Sequence, residues 1–401
     1  MLIRYARWGL YATVACMPLY VIRWKYGPLP TTFLETLILV TVGLYVVARW
    51  REGWRRPLAT PYDIPILLLL LAGAISVLVA KDHRGALGLY RAYFIEPVAV
   101  FYVAIDLVRE AGRRLQLVYA FAAGSSVFAI LNIGVFLKAL AAHAVSVGAA
   151  PTALYTDANP VAMYLEPAIA LAAGMIFFAA TPRLKVIGAV WLAIVGAAFI
   201  VMFSKGGYEA MLALVVVALL TAPRWRLPVL GALVAAAAIT TQVPLLMQRL
   251  STVPWSLQGR EAIFGSTLDM IRSHPIFGVG LGGYTYLFRG VTPEIYPHDV
   301  WLTFWVETGL LGVVSFAVIF FMLQWMGWRA WPTVEQVNRA WLWGGLGGLV
   351  LWFFHGVVDS PYWKNDMAVE FWIMAALVFT AAVGVRKAAP AAPALRSPVP
   401  L

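Results

Sequence analysis

Long apolar segments determine what this chain can fold into. Its 401 residues are 62% apolar and only 12% charged, with a mean hydropathy of +0.81. A water-exposed surface cannot hide that much apolar chain, so an ordinary soluble enzyme is excluded and an all-α polytopic membrane protein is predicted. Twelve runs have hydropathy suited to a membrane-spanning helix. They are 8–22, 31–49, 63–80, 88–107, 115–137, 161–181, 185–203, 208–222, 228–246, 299–327, 340–358 and 368–385.

The basic residues indicate how these spans are oriented. With a cytoplasmic N-terminus, the inner loops carry 18 of the 30 Lys and Arg residues and the outer segments carry 10. Cytoplasmic loops of membrane proteins are enriched in Lys and Arg, so both termini are predicted to be cytoplasmic. The net charge of +11 is then mainly a topology signal, and no nucleic-acid partner is expected.

The pattern of spans divides the chain into four parts. Residues 1–246 are predicted to hold nine spans, and 299–385 the last three. Between them, 247–298 forms one long outward loop that contains an amphipathic surface helix. Residues 386–401 are rich in Pro and Ala and are predicted to be a disordered cytoplasmic tail.

Charged residues inside predicted spans are costly, and they therefore point to candidate functional positions. The fourth span carries Arg91 and Glu96, followed by Pro97. Five residues is not an ideal helical spacing, but Pro97 can distort the turn enough for both side chains to share a polar cavity. A purely structural ion pair between helices is an equally good interpretation.

A polar segment, YTDANPVAMYLEP, leads into the sixth predicted span at 155–167. Asn159 followed by Pro160 suits a helix start, with Asn as the cap and Pro at the first helical position. The intramembrane Glu166 and the nearby Asp157 add more polarity than a cap requires. This segment is therefore a candidate for acceptor binding or for orienting other groups.

A glycine pair follows a lysine in FSKGGYEAML, at 203–212. Glycines let a ligand approach the backbone, and the amides at a helix N-terminus favour an anion, to which Lys205 adds a full charge. A diphosphate suits such a site. A plain turn is the alternative.

A histidine lies where the long outward loop enters the tenth span. His298 is followed by Asp299, and imidazole accepts a proton at neutral pH without special tuning. Asp359 lies at the outer end of the eleventh span, where it can orient His298, bind sugar hydroxyls or cap a helix. His298 is the candidate base, and His355 is expected to be a packed, hydrogen-bonded residue.

These motifs, in this order, resemble a known family. YTDANPVAMYLEP, FSKGG, GREAIFGSTLDMIRSHPIFGVGLGGY, HDVWLTFWVETGLLG and HGVVDSP together are similar to the bacterial O-antigen ligase and O-antigen polymerase superfamily, most of all to the ligases. The resemblance covers roughly residues 150–370. Each motif is degenerate alone, and the specificity comes from the series.

The resemblance implies a membrane glycosyltransferase of the C type that uses no metal and no cofactor. Such an enzyme, in the bacterial inner membrane, transfers a glycan on the periplasmic side from undecaprenyl diphosphate to a lipid A-core acceptor. His298 then corresponds to the family's general base. Arg260 corresponds to a diphosphate contact, and Lys205 to the basic residue of the Ser-Arg-Gly turn.

Two positions differ from the family pattern. Lys205 replaces an arginine, so a bidentate guanidinium fork is lost while the positive charge is kept. Asp299 follows the histidine where the family often has asparagine, and a carboxylate that lies close raises an imidazole pKa.

A mechanism follows from these assignments. His298 takes the acceptor's proton, Arg260 and Lys205 hold the diphosphate, and Arg91 or Arg84 assists them. Attack opposite the leaving group inverts the anomeric centre. The remaining polar candidates are assigned to acceptor binding or orientation, and they are Asp299, Asp359, Asn159 and Glu166.

Several activities fit the same donor chemistry. An O-antigen polymerase and a protein O-oligosaccharyltransferase differ from a ligase only in the acceptor. A transporter of a lipid-linked sugar or an anion belongs to another class and would also use Arg91 and Glu96 within the membrane. The strong bias of polar residues toward the outer side favours the enzyme over the transporter.

Overall fold

All twelve apolar runs coincide with helical structure over most of their length. The computed structural model describes residues 1–27, 29–53, 59–146, 148, 150–251, 253–288 and 295–383. The predicted tail at 386–401 lies outside the described residues. The α-helices are α1 (Leu2–Ala15), α2 (Phe33–Arg51), α3 (Asp63–Val79), α4 (His83–Tyr90), α5 (Glu96–Leu107), α6 (Ala111–Ala141), α7 (Ala158–Phe178), α8 (Pro182–Val201), α9 (Lys205–Thr221), α10 (Arg226–Gln242), α11 (Pro244–Ser251), α12 (Val253–Ser273), α13 (Gly283–Leu287), α14 (Val300–Ala330), α15 (Gln336–Gly356) and α16 (Asn365–Val383).

The helices are those of a multi-pass membrane protein. Among the described residues, seven are long and apolar enough to cross a membrane. The count becomes eight if α9 and the segment from Pro223 to Gln242, bent by 115°, are taken as one span. The 14 residues of α1 are short for a crossing, since about 20 residues are needed. The figure of twelve spans therefore stays a prediction.

A small β-hairpin interrupts the helical architecture, and the apolar pattern did not predict it. Strands β1 (Arg23–Tyr26) and β2 (Leu29–Thr32) pair antiparallel, with Arg23 opposite Thr32. The hairpin runs into α2, where Thr32 and Glu35 form a capping box. Strands this short and polar leave no periodic signal in a membrane protein.

The centre of the bundle is formed by α7, α15 and α16, whose side chains are almost all buried. Glycines let α7 and α15 approach backbone to backbone. A Cβ at Gly174 would lie 2.6 Å from the carbonyl oxygen of Ala340, and one at Gly344 would lie 2.7 Å from Leu171 Cα. Small residues of this kind are the usual means of close helix packing in membranes.

The glycine-rich segment between α12 and α13 packs into a break in α14. Gly309 interrupts this helix with φ of +71°, and the N–H of Leu310 donates to the carbonyl oxygen of Ile276 at 3.0 Å. A second backbone bond joins Val279 N to Val306 O at 2.7 Å. The break thus provides backbone partners for a loop that would otherwise lack them.

Glu307 fixes the same segment from within α14. Its buried carboxylate accepts hydrogen bonds from the N–H groups of Gly282 at 2.6 Å and Tyr284 at 3.3 Å. The hydroxyl of Tyr284 lies 3.2 Å from Thr267 Oγ1 on α12. Glu307 therefore links α14 to the helix that carries Arg260, a connection that the sequence analysis did not identify.

Five helix ends meet at one end of the bundle, which we call the site end. Helices α7, α9, α14 and α16 begin there, and α15 ends there. The polar loops before α7 and α14 lie beside residues 357–364, which join α15 to α16. This arrangement brings His298, Asp359 and Asn159 to the same end of the bundle as the first turn of α9.

Candidate functional site

The site is centred on a histidine–carboxylate pair. Nδ1 of His298 lies 3.3 Å from Oδ1 of Asp359, and the N–H donates to the carboxylate. Asp359 is almost completely buried, whereas the His298 side chain is 30% exposed. With Nδ1 held by Asp359, the proton-accepting nitrogen of a neutral His298 is Nε2. The pair has the geometry of an oriented general base.

The start of α14 presents His298 to this partner. His298 has a φ of +56°, in the left-handed region that non-glycine residues rarely adopt. Asp299 then caps α14, because its Oδ1 accepts the N–H of Leu302 at 2.8 Å. Thr303 and Ser360 join the two segments through a 2.8 Å contact between their hydroxyls. The left-handed backbone at His298 is thus held by the cap of α14 and by the contacts of this segment with Asp359 and Ser360.

Asp359 is held by two further groups. Its Oδ1 accepts the N–H of Ser360 at 2.8 Å, and its Oδ2 accepts Nδ2 of Asn159 at 3.3 Å. Burial alone would raise the pKa of Asp359, but the hydrogen bond and charge of His298, the charge of His355 and the Ser360 N–H lower it to about 2. Asp359 is therefore an anion at every working pH.

The Lys205 turn lies next to a second histidine–carboxylate pair. His355 Nδ1 and Glu166 Oε1 are 2.5 Å apart, and both side chains are fully buried. A Cβ at Gly206 would lie 2.8 Å from His355 Nε2, and one at Gly207 would lie 3.3 Å from Glu166 Oε1. The glycine pair is required for this close approach, a role beyond the exposure of amides predicted for it.

Arg260 reaches the same region from α12. It is partly buried, and its charge acts on His355. No carboxylate among the described residues lies within ion-pair distance of Arg260. Arg260, with no carboxylate partner in the described part of the chain, acts electrostatically on the histidine that packs against the first turn of α9, which makes the site end a candidate place for an anion.

The two other predicted diphosphate ligands are Arg91 and Arg84. Arg91 forms ion pairs with Glu35 and Glu96, and its guanidinium also donates to the carbonyl oxygen of Pro30. Arg91–Ile95 is a π-helical turn, which brings Arg91 and Glu96 together as predicted. Arg84 is exposed near the start of α4. Two carboxylates already balance the charge of Arg91, and its contact with a diphosphate stays a prediction.

Two local assignments from the sequence are corrected. Asp299 is used as the cap of α14, so the orienting partner of His298 is Asp359 and not the adjacent acid. Burial raises the pKa of Asp299 to about 6 against the opposing effect of the backbone N–H groups of Leu302 and Trp301. The cap of α7 is Asp157, which accepts the N–H of Asn159, and the Asn159 amide is thereby directed to Asp359.

Replacing Asp359 by asparagine should change the pH profile of the reaction. The carboxylate stabilises a protonated His298, so its removal makes the base weaker. We expect the acidic limb of kcat/KM to move to lower pH by about one unit, and kcat to fall less than on removal of the base itself. Rates of glycan transfer between pH 5 and 9 test this, and an acidic limb that stays in place contradicts the orienting role.

Comparison with known families agrees with the motifs. Residues 188–317 match the family model described as O-antigen ligase. The matched region contains Lys205, Arg260 and His298, while Asn159, Glu166 and Asp359 lie outside it. A search of curated proteins gave no match. The match supports the superfamily that the motifs predicted and a membrane enzyme of the O-antigen ligase or polymerase type.

Proposed function

We propose that this protein is an O-antigen ligase. It would transfer a glycan from undecaprenyl diphosphate to a lipid A-core oligosaccharide at the periplasmic face of the bacterial inner membrane. Both termini would lie in the cytoplasm, and the site end would face the periplasm. The observation that carries the proposal is the position of the oriented His298–Asp359 pair beside the anion-binding features at Lys205 and Arg260.

The proposed reaction is a single displacement. The acceptor hydroxyl oxygen bonds to the anomeric carbon and transfers its proton to Nε2 of His298. The bond between the anomeric carbon and the phosphate oxygen breaks, and its electron pair leaves with the diphosphate. Arg260 and Lys205 stabilise the charge that develops on this leaving group, so the positive side chains take the place of a metal ion. Attack from the opposite side inverts the anomeric configuration.

The active site would be reached by two kinds of lipid-linked molecule. The donor's polyprenyl chain would lie among the apolar side chains that the helices expose to the bilayer. The diphosphate would then be at the depth of the helix ends, where Lys205 begins α9. His298, partly exposed at the same end, would meet the acceptor from the aqueous side.

One assay tests both the acceptor and the metal-independent chemistry. Purified protein is incubated in EDTA with the lipid-linked glycan donor and one acceptor. The acceptor in separate reactions is lipid A-core, a second lipid-linked glycan, or protein. We expect transfer to lipid A-core. Glycan extension would identify a polymerase instead, and protein modification an oligosaccharyltransferase. Transfer that begins only after a divalent cation is added contradicts the charge-replacement mechanism, and transport without transfer contradicts the whole proposal.

A further inference from the structure

A second ionisable pair lies behind the proposed base. The His355–Glu166 pair is fully buried, so neither side chain can meet an acceptor hydroxyl directly. Glu166 belongs to α7, and His355 to the last turn of α15. Intramembrane ionisable residues are rare and costly, and their retention calls for a role. The proposed displacement does not use either of them.

The pair is in contact with the first turn of α9. Gly206 faces the imidazole and Gly207 faces the carboxylate, at distances that leave no room for a methyl group at Gly206. His355 Nε2 has no hydrogen-bond partner among the described residues. A Cβ at Gly206 would lie 2.8 Å from both Nε2 and Cδ2 of His355, and 2.7 Å from Val358 Cγ2. The pair therefore packs directly against the first turn of α9, which begins with Lys205.

The charge of Glu166 matters because this side chain lies against the first turn of α9. An ionised Glu166 alone would place a buried negative charge directly under a turn proposed to bind a diphosphate, and such a charge is poorly screened. Protonated His355 cancels it at a distance of 2.5 Å. The surrounding ionisable groups are Asp359 after α15, Arg260 on α12, Glu370 on α16 and Lys205 itself.

We propose that His355 is a positioning residue that keeps the anion site usable by neutralising Glu166 beneath the first turn of α9. This inference rests on the proposed function, because it takes the ligand of the Lys205 turn to be the donor's diphosphate. It assigns opposite effects to the two members of the pair. Loss of His355 exposes the anion to a negative charge, whereas loss of the Glu166 charge does not.

The test measures binding of undecaprenyl diphosphate to the full chain in lipid nanodiscs. We expect His355→Gln to weaken binding about tenfold or more, and the defect to grow as pH rises from 6 to 9, because an unpaired buried carboxyl ionises only at higher pH. Glu166→Gln should bind at least as tightly as the native chain. The double variant should recover the affinity of Glu166→Gln. His274→Gln, at an exposed histidine after α12, is the matched control.

The outcomes separate this inference from the proposed function. If the native chain does not bind the lipid diphosphate, the proposed function fails at its first step. If the native chain binds it and both single variants weaken binding equally, with no recovery in the double variant, the pair is only structural and the inference is overturned. Should His355→Gln not fold, Glu166→Gln decides alone, since weaker binding by this variant contradicts the neutralising role.

Discussion

Replacing His298 by alanine is expected to lower kcat for glycan transfer by about 10²- to 10⁴-fold, the usual contribution of a general base. His298 touches the acceptor in the proposed reaction and makes no proposed contact with the diphosphate. The KM for the lipid-linked donor should therefore change little. Steady-state rates with purified protein, at donor concentrations above and below KM, separate the two parameters.

The His298 variant needs a comparison that controls for the loss of an imidazole on the same segment. His274→Ala removes an exposed imidazole whose hydrogen-bond contacts among the described residues are with Met270 O and Ser273 Oγ, and it should keep full activity. Near-normal transfer by His298→Ala would eliminate the base assignment. A fall in donor affinity with unchanged kcat would instead make His298 a ligand of the diphosphate.

Local sequence patterns were sufficient to identify most helices and the residues that the site gathers. Apolar runs long enough to cross a membrane leave few alternatives to a helix, because no other structure satisfies the backbone in lipid. His298, Lys205 and Arg260 were identifiable because each lies in a recognisable local motif. Their roles in catalysis and binding remain proposals until the variants are measured.

The sequence allowed Asp359 as an orienting partner of His298 without singling it out, and it did not pair Glu166 with His355. His298 and Asp359 are separated by 61 residues, and His355 and Glu166 by 189. Which pairs meet depends on how the helices are arranged and rotated in the bundle, and the apolar pattern of a span buried on all sides does not report its rotation. Asp299 was the nearest acid in sequence, and the chain uses it as a helix cap.

The role of Glu307 could not be predicted for a different reason. Glu307 lies within a long apolar helix and binds backbone N–H groups of a loop about 25 residues earlier, so no side-chain motif marks its partner. The signal available was an acid inside a span followed by Gly309, where the helix breaks. An intramembrane acid two residues before a glycine that breaks the helix indicates a site that binds backbone N–H groups.

Replacing Arg260 by alanine is expected to weaken binding of the lipid-linked donor by about 10- to 100-fold, since a hydrogen bond to a charged group contributes about 1.5–3 kcal/mol. Arg260 has no carboxylate partner among the described residues, so the change removes a charge without leaving an unpaired acid. The loss should appear in the dissociation constant for undecaprenyl diphosphate and in KM. Arg260→Lys should recover part of the affinity, because it restores charge but not the planar fork.

Arg272→Ala is the matched control for this variant. It removes an arginine from the same helix, but one that is 74% exposed and paired with Asp269 at 2.8 Å. Exposed pairs of this kind contribute little, so donor binding should be unchanged. Equal losses in the two variants would mean that α12 acts through its general charge or its packing. A loss confined to Arg260, and smaller when the diphosphate is replaced by a monophosphate, would place that side chain on the leaving group.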